Sequence, residues 1–221
     1  MWYNAEMKFK ASREKEIDAL KRRDLFELVD IPNGVHIYGN MFLDKEREDS
    51  PANLGKERYK SRLVILGNTD YRDKTAQKVV YAPVVKILTL RIFFLLAHIF
   101  RWQVQQMDVD NAFAYSECDY PVYMRAWPGH PIPHGKCWRL KKVLYGLRPA
   151  PRYWYKTLDR FMKGLGFTVS IFDSCLYYIK LAGGGLILVL FYVDDILVGG
   201  DCCLESSRFW DWYTTFFDVN I

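Results

Sequence analysis

The feature that most restricts the fold is a pair of adjacent aspartates between two apolar runs near the end of the chain. Leu186–Tyr192 is apolar throughout, Val193 leads to Asp194 and Asp195, and Ile196–Val198 is apolar again before two glycines. Short apolar runs separated by turn residues are typical of a β-hairpin buried in a sheet. The pattern therefore predicts a hairpin with two carboxylates at its tip.

Paired aspartates in a turn often have a purely structural role. Between apolar strands, however, two neighbouring carboxylates repel each other and must be solvated, paired or bound to cations. A second acidic strand end, Asp108-Val109-Asp110, offers a further carboxylate. Carboxylates from two neighbouring strands are suited to hold Mg²⁺ for two-metal phosphoryl transfer.

Composition narrows the class of protein. The 221 residues are 50% hydrophobic, which excludes a permanently disordered chain. Residues 61–160 carry sixteen basic and seven acidic side chains, an excess that attracts polyanions such as nucleic acid. The alternative interpretation of this excess is an ordinary solvated surface.

Cysteine usage and apolar runs indicate the compartment. Five cysteines without a Cys-x-x-Cys pair predict reduced thiols rather than a disulfide framework or a zinc ribbon. The N-terminus lacks a signal-peptide pattern, and the two most apolar stretches, Ile87–Phe100 and Leu186–Val193, are shorter than the roughly 20 residues of a membrane span. We expect an intracellular protein without membrane contact.

Periodicity and turn residues predict an alternation of helices and strands. We expect an exposed hairpin tip or loop at 44–60, a helix buried on most sides at 83–100 and a one-faced helix that begins at Pro149. The remaining predicted helices are 4–29 and 206–217, and the predicted strands are 35–42, 62–66, 102–109, 120–127, 137–143, 175–181 and 186–192.

The segment Phe191–Leu197 resembles the Tyr-x-Asp-Asp box of reverse transcriptases, in the Tyr-Val-Asp-Asp form of copia-type LTR retrotransposons. Further blocks resemble the same family in the expected order, and the resemblance runs from about Trp2 to Val219. These blocks are 58–64, 81–85, 106–109 with 112–113, 122–124, 144–147 with 150–152 and 154–155, and 173–177. Seven collinear blocks are far more specific than any one of them.

The resemblance implies an α+β fold with the fingers and palm of a right-hand polymerase. The palm would be an antiparallel sheet covered by helices, with the thumb absent and the palm incomplete at the C-terminus. We expect an N-terminal extension and fingers in residues 1–106, interleaved in sequence with the palm, and mainly palm with the catalytic hairpin in residues 107–221.

The resemblance also implies a catalytic centre. Asp108 and Asp194 would be the catalytic carboxylates and Asp195 the supporting acid. Together with the Val109 carbonyl these residues would hold Mg²⁺ or Mn²⁺.

Four further residues would bind substrates by the same resemblance. Lys60 and Arg62 would meet the triphosphate, and Tyr192 would lie near the primer end. Phe113 would sit under the sugar of the incoming nucleotide and exclude a 2′-hydroxyl, and its alternative is an ordinary core phenylalanine. The implied partners are an RNA or DNA template with its primer, dNTPs and other parts of a Pol polyprotein, in the cytoplasm or in virus-like particles.

Two departures from the family pattern support an alternative to an active polymerase. Pro149 stands where the family usually has a glutamine that helps to hold nucleotide and template, and Asp110 replaces a lysine beside the carboxylates. The chain could therefore be a catalytically degenerate remnant with the same fold and only weak nucleic-acid binding. A different two-metal phosphotransferase or nuclease would explain the carboxylates but not the collinear blocks.

Overall fold

The computed structural model describes residues 2–48, 58–67, 81–201, 214, 217 and 219–220. Its helices are α1 Trp2–Arg22, α2 Ile87–Ile99 and α3 Ala150–Gly164. Its strands are β1 Phe26–Asp30, β2 Ile37–Tyr38, β3 Asn40–Glu46, β4 Tyr59–Ile65, β5 Gln105–Val109, β6 Glu117–Met124, β7 Lys136–Lys142, β8 Thr168–Val169, β9 Leu176–Lys180, β10 Leu186–Tyr192, β11 Asp195–Gly200 and β12 Val219–Asn220. The chain divides into two units, each built from two separate stretches of sequence.

The first unit comprises Met1–Val80 and Phe113–Tyr153. It contains a four-stranded sheet in the order β1-β7-β6-β2 and a two-stranded sheet of β3 and β4. Helix α1 packs against β4, and Arg13 on this helix donates from Nε to a carboxylate oxygen of Asp44 on β3 at 3.1 Å. The helix and the β3–β4 hairpin are therefore joined by an ion pair as well as by apolar packing.

The helix predicted over 4–29 ends earlier than expected. Asp24 adopts a φ of 52°, which breaks the helical repeat, and β1 then pairs antiparallel with β7. Phe26 and Val29 favour strands, and cross-strand pairing outweighs the helical composition of the preceding residues. The segment predicted at 44–60 as a hairpin tip or loop follows β3 of a hairpin, and it is shorter than expected because β3 and β4 pair as far as Glu46 and Tyr59. Residues 49–57 lie outside the described part.

The second unit comprises Tyr81–Ala112 and Trp154–Ile221. Its six-stranded sheet has the order β12-β5-β11-β10-β9-β8, and all of these pairs are antiparallel. β10 is buried from Ile187 to Phe191, and α3 buries Trp154, Leu158 and Met162. The predicted strands at 102–109, 175–181 and 186–192 and the one-faced helix are confirmed, and so are the first unit's strands at 120–127 and 137–143.

The prediction that residues 83–100 form a helix buried on most sides is wrong in its burial. Helix α2 buries Phe93 and Ala97, while Leu88, Leu95 and Ile99 are more than half exposed. Gly199 on β11 provides the contact, since a Cβ added there would meet the Phe93 ring at 3.2 Å. Dense apolar sequence thus produced a helix with one buried side.

Two further expectations concern the chain ends and membranes. The helix predicted at 206–217 lies outside the described residues except for Thr214 and Phe217. Phe217 is buried, and its ring packs edge-to-face on Trp154 at a centroid distance of 5.4 Å.

No helix among the described residues is long and apolar enough to cross a membrane. Among the described residues, Cys118, Cys137 and Cys175 are free thiols.

Candidate active site

The hairpin of β10 and β11 carries the two aspartates as predicted. Tyr192 pairs with Asp195 as the last cross-strand pair, so Val193 and Asp194 form a two-residue turn. Phe191 is 3% exposed, whereas Tyr192 is 54% exposed. Strand β10 is therefore buried from Ile187 to Phe191 and the turn that follows it is exposed, so that both charges can be hydrated.

The turn is strained at one residue. Val193 has a φ of 58°, in the left-handed region, where a β-branched side chain is a clear outlier. Two-residue hairpin turns demand such angles but usually place Gly, Asn or Asp there. A strained residue of this kind costs about 1–3 kcal/mol and persists only where its surroundings hold it.

Two hydrogen bonds fix the carbonyls of the turn. The Trp154 Nε1–H donates to the Val193 carbonyl oxygen at 2.6 Å. The backbone N–H of Val109 donates to the Asp194 carbonyl oxygen at 3.1 Å. The first bond comes from a helix side chain and the second from the neighbouring strand, so the turn is held from two elements.

The third aspartate lies on the strand next to the hairpin. Asp108 of β5 is the direct partner of Asp195 of β11. Directly opposite residues of antiparallel strands point to the same face, with Cα atoms about 4.5–5.5 Å apart. The Gln106 Nε2 donates to a carboxylate oxygen of Asp195 at 3.4 Å, which partly compensates its charge. The sheet register thus sets Asp108 opposite Asp195, and Asp194 precedes Asp195 in the turn.

The chemistry of these donors fits a hard divalent cation. Three carboxylates and a backbone carbonyl offer only oxygen atoms, which Mg²⁺ prefers. Within the described part of the chain, no three His, Cys, Asp or Glu side chains are gathered closely enough to hold a metal ion. Val109 is 1% exposed, and its N–H is already used by Asp194. Asp108 and Asp195 are thus neighbours by backbone register.

The predicted triphosphate residues lie on β4 in the first unit. Lys60 and Arg62 are two residues apart and share the half-buried face, while Ser61 and Leu63 are buried on the other face. No residue of the described ranges forms an ion pair with either cation. Two uncompensated cations on one face of a strand are suited to bind an anion.

A tyrosine that sequence reasoning did not single out connects two predicted substrate residues. The Arg62 guanidinium carbon lies 5.4 Å from the centroid of the Tyr145 ring, a cation–π contact. The Phe113 ring meets the same tyrosine edge-to-face at 4.6 Å and is 8% exposed. Tyr145 belongs to a block that resembles the family, but only the fold shows that it contacts both residues.

A close backbone contact positions Tyr145 against strand β4 in the first unit. Gly146 has a φ of 93°, and a Cβ added there would lie 2.0 Å from the Ile65 carbonyl oxygen. The Ile65 N–H donates to the Tyr145 carbonyl oxygen at 2.8 Å. A glycine is therefore required for the 145–146 segment to lie against β4 and bring Tyr145 to Arg62.

Pro149, the main departure from the family pattern, has a structural role at the start of α3. Its carbonyl oxygen accepts hydrogen bonds from the backbone N–H groups of Arg152 and Tyr153, each at 3.1 Å. Proline is well suited to the first turn of a helix. The position therefore serves helix initiation but lacks an amide side chain.

Comparisons with known proteins agree with the motif order. The family described as reverse transcriptase (RNA-dependent DNA polymerase) matches residues 23–216. The retrovirus-related Pol polyprotein from transposon TNT 1-94 of Nicotiana tabacum is 32% identical over 190 residues, which are 85% of this chain and 14% of the relative. The Pol polyproteins from transposons RE1 and RE2 of Arabidopsis thaliana are 34% and 35% identical over 178 residues, which are 77% of this chain and 12% of each relative.

One solved structure aligns over most of the chain. The foamy viral protease-reverse transcriptase, in complex with double-stranded DNA, covers 96% of this chain and 30% of its own at a TM-score of 0.45 and 12% identity. The family assignment rests on the family match and the plant relatives, of whose length this chain spans 12–14%. The chain belongs to the reverse transcriptase (RNA-dependent DNA polymerase) family, as a copia-type reverse transcriptase domain.

Proposed function

We propose that this chain itself catalyses RNA-directed DNA synthesis by adding dNTPs to a primer 3′-hydroxyl. The observation that carries the proposal is the register of β5 against the β10–β11 hairpin, which sets Asp108 opposite Asp195 beside the turn that holds Asp194. In this reaction the 3′-oxygen forms a bond to the α-phosphorus, and the bond to the pyrophosphate oxygen breaks. The negative charge that accumulates there requires cationic stabilisation.

In the proposed centre Asp108, Asp194, Asp195 and the Val109 carbonyl would hold Mg²⁺ (or Mn²⁺). When bound, two such ions activate the attacking hydroxyl and neutralise charge on the leaving pyrophosphate. The carboxylates supply the oxygen donors and the negative charge that attract divalent cations. Partial exposure of the three aspartates leaves room for water ligands that substrate phosphates can replace.

Four residues outside the group of aspartates are proposed to contact the substrates. Lys60 and Arg62 bind the triphosphate, for which their shared strand face and uncompensated charges are suited. Phe113 contacts the sugar and excludes a 2′-hydroxyl, while Tyr192, exposed at the end of the hairpin, contacts the primer terminus. Tyr145 orients the Arg62 guanidinium through its ring face.

The proposed domain organisation follows the polymerase hand, with an N-terminal extension and fingers in residues 1–106 and mainly palm in residues 107–221. The partners are a primed RNA or DNA template, which the basic stretch 61–160 attracts, and other parts of a Pol polyprotein. We place the activity in the cytoplasm, including virus-like particles.

A second candidate is a catalytically degenerate remnant that binds nucleic acid weakly. Pro149 favours it, since proline cannot offer the amide that the family uses on nucleotide and template. The three aspartates in their sheet register favour the active enzyme.

Primer extension on an RNA template with Mg²⁺ or Mn²⁺ tests the proposal. The wild-type chain is compared with the double variant Asp194→Asn, Asp195→Asn and with Asp30→Asn, a control that removes a carboxylate whose side chain is 88% exposed and paired with Lys136. Extension by the wild type and the control, with none by the double variant, supports the polymerase. Equal extension by all three contradicts it, and absence of extension from all three favours the remnant.

A further inference from the structure

The turn that carries Asp194 has a conformation that its own sequence disfavours. Val193 occupies the left-handed region at a φ of 58°. Asn or Gly would adopt this conformation with little strain, whereas a β-branched residue does so only under outside constraint. The neighbours of the turn should therefore include a group that imposes this conformation.

The Trp154 indole is the side chain placed to do so. Its Nε1–H donates to the Val193 carbonyl oxygen at 2.6 Å, a short and direct hydrogen bond. The Val193 carbonyl lies in the same planar peptide unit as the nitrogen and Cα of Asp194. A bond that fixes this oxygen therefore fixes the plane from which the Asp194 side chain projects.

Trp154 is itself held in place. It is 2% exposed on α3, and its ring packs edge-to-face on Phe217 at 5.4 Å. A buried indole can neither swing away nor exchange its acceptor for bulk water without loss of a hydrogen bond. The indole is thus a rigid donor aimed at the turn from outside the sheet.

We propose that Trp154 is a positioning residue that clamps the Val193–Asp194 peptide and so sets the direction of the Asp194 carboxylate. The consequence for catalysis rests on the proposed function, whereas the clamp is a property of the fold alone. The alternative is that the ring only fills space between α3 and the sheet. The clamp requires the indole N–H, whereas a space-filling role requires only the shape of the ring.

The variant Trp154→Phe keeps an aromatic ring and removes the donor. We expect hydrogen exchange of the Val109 amide, which donates to the Asp194 carbonyl oxygen of the turn, to accelerate at least about tenfold, with the amides of β9 and β10 unchanged. In primer extension we expect kcat to fall at least about tenfold, because misplaced catalytic groups are costly, while KM for dNTP stays within about twofold.

The matched control is Trp102→Phe. The Trp102 Nε1–H donates to a carboxylate oxygen of Asp201 at the same length, 2.6 Å, and the Asp201 N–H donates to the Leu186 carbonyl oxygen at the open end of the hairpin. This variant loses an equivalent indole bond away from the turn. Hydrogen exchange of the Val109 amide and kcat should match those of the wild type.

A second substitution, at Val193, tests whether the effect of Trp154→Phe comes from strain in the turn or from lost packing. Asn tolerates the left-handed region, so Val193→Asn should restore slow exchange of the Val109 amide and most of kcat in the Trp154→Phe background. Wild-type exchange and kcat in Trp154→Phe, equal effects in Trp102→Phe, or lack of restoration by Val193→Asn would each overturn the clamp. If the wild type does not extend primers, the exchange measurements alone decide the clamp, and only the proposed function fails.

Discussion

Asp108 of β5 lies directly opposite Asp195 of β11 in the antiparallel register of the second unit. Two like charges that face each other destabilise a sheet unless other groups compensate them. Such a pair beside a strained turn points to a functional site, because local rules of sequence and structure are most often broken where function requires it.

The first prediction concerns this pair. Asp108→Asn should leave the free energy of unfolding unchanged or raise it by about 0.2–1 kcal/mol, because it removes one of two facing like charges. Primer extension should fall at least about 100-fold, since even partners of metal ligands contribute about 10- to 100-fold. Urea unfolding and steady-state extension measure the two effects. A clear loss of stability would show that Asp108 has a structural role instead.

The second prediction concerns Arg62 and its contact with Tyr145. Arg62→Lys retains the charge but loses the flat guanidinium that stacks on the ring, so KM for dNTP should rise about two- to fivefold, with kcat less affected. Arg58→Lys is the matched control, because Arg58 also lies over a tyrosine, Tyr59, at 5.6 Å and is ion-paired with Glu46. An equal change of KM in both variants would contradict a specific role of Arg62.

The third prediction separates the two interpretations of Phe113. If its ring excludes the 2′-hydroxyl, Phe113→Leu should raise the kcat/KM for rNTPs relative to dNTPs, because a smaller side chain leaves space under the sugar. If Phe113 serves only the core, the substitution should lower the free energy of unfolding by about 1 kcal/mol and leave this ratio unchanged. Single-nucleotide incorporation with matched dNTP and rNTP, together with urea unfolding, distinguishes the outcomes.

The fourth prediction concerns Gly146. Gly146→Ala combines an unfavourable φ with a Cβ that would meet the Ile65 carbonyl oxygen at 2.0 Å, so the free energy of unfolding should fall by about 3 kcal/mol or more. Gly34→Ala is the control, since Gly34 has a φ of 71° but no atom within 4 Å of an added Cβ. That variant should lose only about 1 kcal/mol. Equal losses in urea unfolding would mean that the contact with β4 is not required.

The fifth prediction concerns alkaline pH. Burial, together with the charge of Asp173, raises the pKa of the Cys175 thiol from 9.0 to about 12. A raised folded pKa means that the folded state keeps a proton that the unfolded state loses, so stability is full below pH 9 and falls as the pH rises towards 12. Cys175→Ala should remove up to about 1.4 kcal/mol per pH unit of this decline, as measured by urea unfolding at pH 8–11. An unchanged slope would contradict burial of the thiol.

Much of the fold follows from local pattern. The hairpin was predictable because two apolar runs flank a two-residue turn, and α3 because its buried side chains recur at helical spacing. Helix α1 was predicted too long, since composition cannot show that Phe26–Asp30 has a strand partner more than a hundred residues away. The burial of α2 was also predicted wrongly, because apolar density does not say how many sides of a helix find neighbours.

By itself, the sequence determined the family, the three aspartates and the polar end of the β10–β11 hairpin, because these depend on residue identity and short-range order. The tertiary structure alone decided that Asp108 faces Asp195, that Tyr145 contacts both Arg62 and Phe113, and that Trp154 reaches the Val193 carbonyl. Each of these contacts joins residues far apart in the chain. Such contacts depend on sheet register and side-chain packing, which no local pattern encodes.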